Sequence, residues 1–440
     1  MNYSKKYFLQ KIVRGWSGKI HFKEDVSVSG FRIALLHYSC PPVVGGVEEV
    51  LSQQARVFSK HGNKVKVLAG AGERFLRNVD VETTPLLSSR NDEIVLLHKE
   101  AVEKGDTGPL LNMIDRIYEY LKKAIKGFDV LIPHNVLTMH YNLPLTYALH
   151  RIADDGFPVI NWCHDSPFFY DSYPDYLKSR PFQILRKYNE NMTYVVISRY
   201  RKKLFYNLYG RRGKFHVIPN GIDPMGFLKL DPTIAKLVDE LELLKPDFIM
   251  VQPSRLHPRK NMELSIRVLK ALKDRGINAK LLITGAHDPH ETRDREYREN
   301  LLALSRSLGV DKDVVFLAGY RFSDGDVLTP DRIVVRDLFL ISDILFMPSY
   351  HEGFGIPLLE SGLIKLPVVC STIPPFKEIG RNKVCFFDLD DSPDKIADKI
   401  ISFTSKMKTQ RLFREVIKNY TWDNIYENRI LPLLETVIRK

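Results

Sequence analysis

Long apolar runs are missing from this chain. No stretch of about 18 apolar residues occurs, the length a membrane-spanning helix needs. The N-terminus lacks the continuous apolar core of a signal peptide. Cysteine is scarce: Cys40, Cys163, Cys370 and Cys385 are the four in 440 residues, and none forms a C-x-x-C pair. Each falls in or beside a predicted strand, so they read as reduced core residues of a cytoplasmic protein, not as disulfides or metal ligands. No repeat with a period of about 20–50 residues is visible, which excludes a solenoid. Basic residues outnumber acidic ones, but they read as spread along the chain, with no run of the kind a nucleic-acid-binding arm carries.

What is present is a globular composition, 44% hydrophobic and 27% charged, long enough for two or three domains. The net charge of +12 suits an anionic partner, such as a nucleotide diphosphate, an acidic acceptor or a membrane surface, and equally a basic solvated surface. Residues 1–29 read as an extension. Phe8, Leu9, Ile12, Val13 and Trp16 fall on one helical face among Lys5, Lys6, Lys11 and Arg14, a pattern that suits peripheral contact with an anionic membrane or packing on the protein's own domain.

From Phe31 the chain alternates strands and helices. Phe31–His37 predicts a buried strand, Pro41–Glu48 a loop entering a helix that Gly62 ends, and Val65–Leu68 the next strand. Further strands are expected at Glu93–Leu97, Asp129–Ile132, Val159–Trp162, Tyr194–Ile197 and Lys214–Ile218, with helices near 109–126, 142–154, 178–191 and 199–208. After a connector at Asp223–Pro246 the pattern restarts. Strands are expected at Phe248–Gln252, Lys280–Thr284, Val314–Leu317, Ile344–Met347, Val368–Cys370 and Val384–Phe387, and Asn261 is expected to cap the helix over 261–275. Two successive α/β patterns predict two Rossmann-like, doubly wound parallel sheets, with ligands at the carboxyl ends of the strands and a cleft between them.

Three constellations carry chemistry. Pro253-Ser254-Arg255-Leu256-His257-Pro258-Arg259-Lys260-Asn261 places cations after a strand and before a helix, where arginine can grip a diphosphate bidentately and lysine acts as a point charge. His351-Glu352-Gly353-Phe354-Gly355-Ile356-Pro357-Leu358-Leu359-Glu360 is a strand end, a glycine loop and a helix start. Glu352 precedes the helix and Glu360 lies inside it, so their roles differ. Val217–Asp223 is a turn at the domain boundary.

Taken in this order, the motifs resemble the family-4 retaining glycosyltransferases of GT-B architecture, over most of residues 30–430. The resemblance rests on Gly45-Gly46-Val47-Glu48, the Ile218–Asp223 turn, Arg255 with Lys260, Thr284-Gly285, Glu352-Gly353-Phe354-Gly355 with Glu360, and Thr421-Trp422. It implies an extension at 1–29, an acceptor-binding domain at 30–225, a nucleotide-sugar-binding domain at 226–420, and a helix at 421–440 that returns to the first domain. By the same resemblance Arg255 and Lys260 neutralise the diphosphate leaving group and Glu352 contacts the donor sugar beside Gly353, Phe354 and Gly355. Glu360 binds ribose hydroxyls, Gly45 and Gly46 admit the phosphates, and His164 lies near the transferred sugar. The acceptor is expected near Gly45, His134, Asn135, His140 and Asp165.

The sequence departs from the family pattern in places. Ser254, Asn261 and Lys365 stand where glycine is common, Arg259 where an acidic residue is, and Thr372–Pro375 lacks a glycine pair. The reaction implied is transfer with retention, needing no cofactor. Asp324-Gly325-Asp326 and Asp388-Leu389-Asp390 have metal-binding spacing but read as solvated turns, so no metal is expected. Thr284–Pro289 and the charged helix after it resemble the subgroup that acts on small soluble acceptors. GDP-mannose as donor and a small anionic glycoside such as glucosylglycerate as acceptor are the first expectation. A lipid or polysaccharide acceptor, a phosphorolytic trehalose-type enzyme and a non-catalytic nucleotide-sugar-binding protein are the rivals.

Overall fold

The computed structural model describes residues 30–103, 107–170, 173–285 and 293–439. The helix expected in residues 1–29 and most of Thr284–Pro289 lie outside them. β1 (Arg32–His37), β2 (Lys64–Ala69), β3 (Asp80–Thr83), β4 (Val130–Pro133), β5 (Val159–Cys163), β6 (Met192–Val196) and β7 (Phe215–Val217) form a seven-stranded sheet in the order β3-β2-β1-β4-β5-β6-β7. β8 (Phe248–Gln252), β9 (Ala279–Ile283), β10 (Val314–Phe316), β11 (Ile344–Met347), β12 (Val368–Ser371) and β13 (Cys385–Phe387) form a six-stranded sheet in the order β10-β9-β8-β11-β12-β13. Every pairing within both sheets is parallel. The central strands are buried on both faces, which is why they read as largely apolar runs, without polar alternation. The architecture is GT-B: two Rossmann-like domains about a central cleft.

Each strand order reverses once, between β1 and β4 and between β8 and β11. At such a point neighbouring connections leave in opposite directions and open a crevice at the carboxyl ends of the strands. The chain then crosses back. Ile222 bridges Thr421, and Trp422, Ile425, Tyr426, Ile430, Leu433 and Leu434 complete the apolar core of the first domain with Leu51, Ala55 and Phe58. Among the described residues no helix is long and apolar enough to cross a membrane, and the four cysteines are free, with Cys40, Cys163 and Cys370 buried.

Two local expectations fail for identifiable reasons. Glu93–Leu97 is not a strand but part of a helix, Asp92–Glu103, in which Val95 and Leu96 are exposed. A short apolar run has no period of its own, and the deciding signal is Asn91, whose side chain accepts from Ile94 N at 3.2 Å as a helix cap. The strand beside β2 is instead β3, with the polar sequence Asp-Val-Glu-Thr. The helix near 178–191 is replaced by two short turns, Asp175–Lys178 and Phe182–Arg186, because Pro181 has no N–H to continue a helix.

Candidate active site

The loops after β8 and β11 flank the second switch point. Lys260 ends the single turn Pro258–Lys260, and its Nζ donates to Glu352 Oε1 at 2.5 Å. The two side chains are only 11% and 10% exposed. Ser349 Oγ donates to the same carboxylate oxygen at 2.8 Å, and Ser371 Oγ donates to the Ser349 carbonyl at 2.7 Å. Behind Lys260 sits Gln252, the fully buried last residue of β8. Its Nε2 donates to the Lys260 carbonyl at 2.9 Å, while its Oε1 accepts from Ser265 Oγ at 2.7 Å. An amide fixed at both ends leaves the lysine backbone little freedom.

The two loops are also tied to each other. Asn261 Nδ2 donates to the Pro348 carbonyl at 3.2 Å, and Tyr350 N to the Arg259 carbonyl at 2.9 Å. Asn261 is therefore not the side-chain helix cap the sequence suggests. Its backbone is left-handed, with φ +53°. That conformation explains why glycine is common at this position, and asparagine is among the few other residues that tolerate it. Lys365, also at a position where glycine is common, is left-handed too, with φ +63°.

The other predicted donor residues of the second domain lie on these two loops or on the elements that adjoin them. Arg255 is exposed on the cationic loop. Thr284 and Gly285, at the end of β9, close its flank through Thr284 N to the Gln252 carbonyl (3.2 Å) and Gly285 N to the Ser254 carbonyl (3.0 Å). Gly353 and Phe354 are exposed at the loop tip. Gly355 enters the helix Ile356–Leu363 with φ +110°, and a Cβ there would lie 3.0 Å from the Phe376 ring. Only glycine meets both conditions. Glu360 is half-buried in that helix.

In the first domain the expected acceptor residues gather at the ends of β1, β4 and β5, but several face one another. His134 is fully buried, so its side chain reaches no ligand without rearrangement. Its Nδ1 lies 3.3 Å from His164 Nε2, and its carbonyl accepts from His37 Nδ1 at 2.7 Å. Asn135 Oδ1 accepts from the backbone N–H groups of His164 (3.0 Å) and Asp165 (2.7 Å). Its role here is to set the course of the loop after β5. Asp165 is held by Arg201 Nη1 at 3.0 Å and by Tyr170 Oη at 2.7 Å. His140 stands apart, against the Tyr141 ring at 4.6 Å. Burial, with His37 nearby, pushes His164 down to about 3, so it remains a neutral imidazole at physiological pH.

Two residues of this face escaped the sequence reading of the site, His37 and Glu48. Glu48 Oε1 accepts from Ser39 Oγ at 2.6 Å and lies 3.6 Å from His37 Nε2. The His37 contact, helped by Ser39, pulls the Glu48 carboxyl down to about 2 against the effect of burial. The available signal was a histidine closing the first strand and a glutamate two residues after a glycine pair. Among the described residues no group of three or more His, Cys, Asp or Glu side chains is placed to hold a metal ion. Asp324 and Asp326 are both paired with Lys236.

Comparison with known sequences decides the family. Residues 44–225 match Glycosyltransferase Family 4, and residues 234–420 match Glycosyl transferases group 1. The chain belongs to the family-4 glycosyltransferases. It is 27% identical over 284 residues to a mannosylglucosylglycerate synthase of Petrotoga mobilis, covering 60% of this chain and 64% of that protein, less than two thirds of its length. It is 24% identical over 375 residues to the mannosylglucosylglycerate synthase of Thermotoga maritima, covering 79% and 82%. Over 178 residues it is 27% identical to a GDP-mannose-dependent phosphatidylinositol monomannoside mannosyltransferase of Mycolicibacterium smegmatis, covering 40% and 42%.

For this family-4 glycosyltransferase the first glycine of the pair has a local packing explanation. A Cβ on Gly45 would stand 2.2 Å from Glu48 Oε2, whereas one on Gly46 would meet nothing within 4 Å. Gly45 is bare so that Glu48 can fold back onto Ser39 and His37. Gly45→Ala is therefore expected to destabilise the protein by about 1–2 kcal/mol, the cost of displacing a buried, hydrogen-bonded carboxylate. In a Glu48→Ala background the same substitution is expected to cost little. A double-mutant cycle by urea unfolding measures the difference, and additive effects would disprove the explanation.

Proposed function

We propose that this protein is a retaining glycosyltransferase that moves mannose from GDP-mannose to a small anionic glycoside acceptor such as glucosylglycerate. The observation that carries this reading is the buried Lys260–Glu352 pair at the β8/β11 switch point, in a chain similar over 375 residues to a mannosylglucosylglycerate synthase. In the free protein the two side chains neutralise each other. On donor binding the ammonium turns to the diphosphate and the carboxylate accepts from sugar hydroxyls, so each charge exchanges one partner for another and neither is left bare. Arg255, exposed on the same loop, adds a second cation. As the glycosidic bond to the diphosphate breaks, negative charge grows on the leaving oxygen, and fixed cations stabilise that charge more than the ground state. The departing phosphate takes the acceptor's proton from the same face, which retains the anomeric configuration. His164 is neutral and suits hydrogen bonding to a sugar hydroxyl, not charge stabilisation. Glu360, inside the helix that follows the glycine loop, holds the ribose.

Mass spectrometry and anomeric NMR of products from GDP-mannose, UDP-glucose and ADP-glucose, each with glucosylglycerate, test the reading. An α-mannosyl product from GDP-mannose alone is expected. Glucosyl transfer, or an inverted product, would overturn it. Glu360→Ala is expected to raise the donor KM about tenfold or more with kcat little changed, since it removes binding common to ground and transition states.

A further inference from the structure

The positive charge of this protein is not spread along the chain as the sequence reading has it. Between Tyr176 and Ile222 there are eleven lysines and arginines and one acidic residue, Glu190, so this tenth of the sequence supplies +10 of the net +12. The fold gathers the segment at one edge of the first sheet, where the helix Arg199–Leu208 links β6 to the edge strand β7.

Phe205 is fully buried on the inner side of that helix. Arg199, Lys202, Lys203 and Tyr206, spaced as one stripe, are exposed on the outer side. Tyr200 is 68% exposed beside them. The turn before β7 adds Arg211, Arg212 and Lys214, also exposed, and Tyr188 Oη accepts from Lys214 N at 3.3 Å, holding that turn against the preceding segment. Arg201 alone in the helix turns back, to Asp165. Among the described residues the outer six cations form no ion pair with an acidic side chain. A surface with so many uncompensated cations repels itself unless an anionic partner covers it.

We propose that this edge docks the protein on an anionic lipid bilayer. The stripe lies on a convex helical face, which meets a flat charged surface along its length; single-stranded nucleic acid is held in grooves. Exposed tyrosines among the cations fit the headgroup region, where amphipathic rings settle. Several cations act together, which single weak membrane signals require. The inference is independent of the proposed donor and acceptor.

The test is co-sedimentation of the full chain with vesicles of phosphatidylcholine alone or with about 30 mol% phosphatidylglycerol. Binding is expected only to the anionic vesicles at about 0.1 M salt, and to fall sharply at about 0.5 M. Combining Lys202→Gln, Lys203→Gln, Arg211→Gln and Arg212→Gln is expected to lower partitioning at least about a hundredfold, roughly fivefold for each cation removed. The same four-residue variant should keep its donor turnover in solution, which reports an intact fold. Combining Lys377→Gln, Lys383→Gln, Lys406→Gln and Lys408→Gln, on the second domain, should leave partitioning unchanged. Equal binding to neutral vesicles, no binding of the unaltered protein to anionic ones, or full retention by the first variant, as when residues 1–29 carry the attachment, would each overturn the proposal. So would tight binding of an RNA oligonucleotide by a protein that ignores both vesicles.

Discussion

Lys260→Ala is expected to lower kcat about a hundred- to a thousandfold while weakening the binding of the bare nucleoside far less. Removing one preorganised charge that meets charge developing in the transition state costs this much in comparable sites. The nucleoside end of the donor does not touch Lys260 in the proposed arrangement, so its affinity is a control. The substitution has a second consequence, because Lys260 and Glu352 are mutual partners at about 10% exposure. Truncating the lysine leaves the carboxylate buried with Ser349 Oγ as its remaining side-chain donor, and an uncompensated buried charge destabilises the fold. The double variant Lys260→Ala, Glu352→Gln separates the two effects. It should regain much of the stability and none of the turnover. Donor-saturated rates and thermal melts of both variants are the measurements. A single variant with unaltered kcat would remove Lys260 from the leaving-group site.

Arg414→Ala is expected to destabilise the second domain by about 3–5 kcal/mol, the usual cost of breaking a buried ion pair from one side. Asp343 is 3% exposed and Arg414 12%. The carboxylate accepts from Ile249 N at 2.6 Å while Asp343 N donates to the Ile249 carbonyl at 2.9 Å, so the residue ties the start of β11 to β8. Arg414 comes from the helix Lys408–Asn419 and donates through Nε to Asp343 Oδ1 and through Nη2 to the Ile341 carbonyl. Burial pushes the Asp343 carboxyl above its ordinary range, against the pull of Arg414. Without the arginine that rise grows. A folded-state value above the unfolded one means the native form binds more protons, so stability falls as pH rises through that interval and returns as pH falls. The deficit of Arg414→Ala should therefore narrow on acidification. Urea unfolding at two pH values measures it, and a deficit that widens in acid would rule out this account.

Both predictions depend on contacts between residues far apart in sequence. The strands were legible because a strand buried on both faces is a continuous apolar run, as in Ile344–Met347 and Val130–Pro133. β3 was not, because an edge strand can be polar. The cationic loop and the glycine loop were legible as separate motifs, since a glycine or a cation at a strand end has few purely local uses. That Glu48 packs on His37, and that His134 is buried while Asn135 shapes a loop, was invisible: polar residues at strand ends look alike until their neighbours are known.

By itself the sequence determined that there are two parallel α/β units, which helix starts could hold anions, and which residues carry charge there. The tertiary structure alone decided that Lys260 and Glu352, 92 residues apart, form one pair, and that Arg199, Lys202, Lys203, Arg211, Arg212 and Lys214 stand exposed together beside the edge strand of the first sheet. The physical reason is strand order. Hydrophobic periodicity specifies that a segment is a buried strand, but not which strand lies beside it. Only the reversals at β1/β4 and β8/β11 bring the loops together.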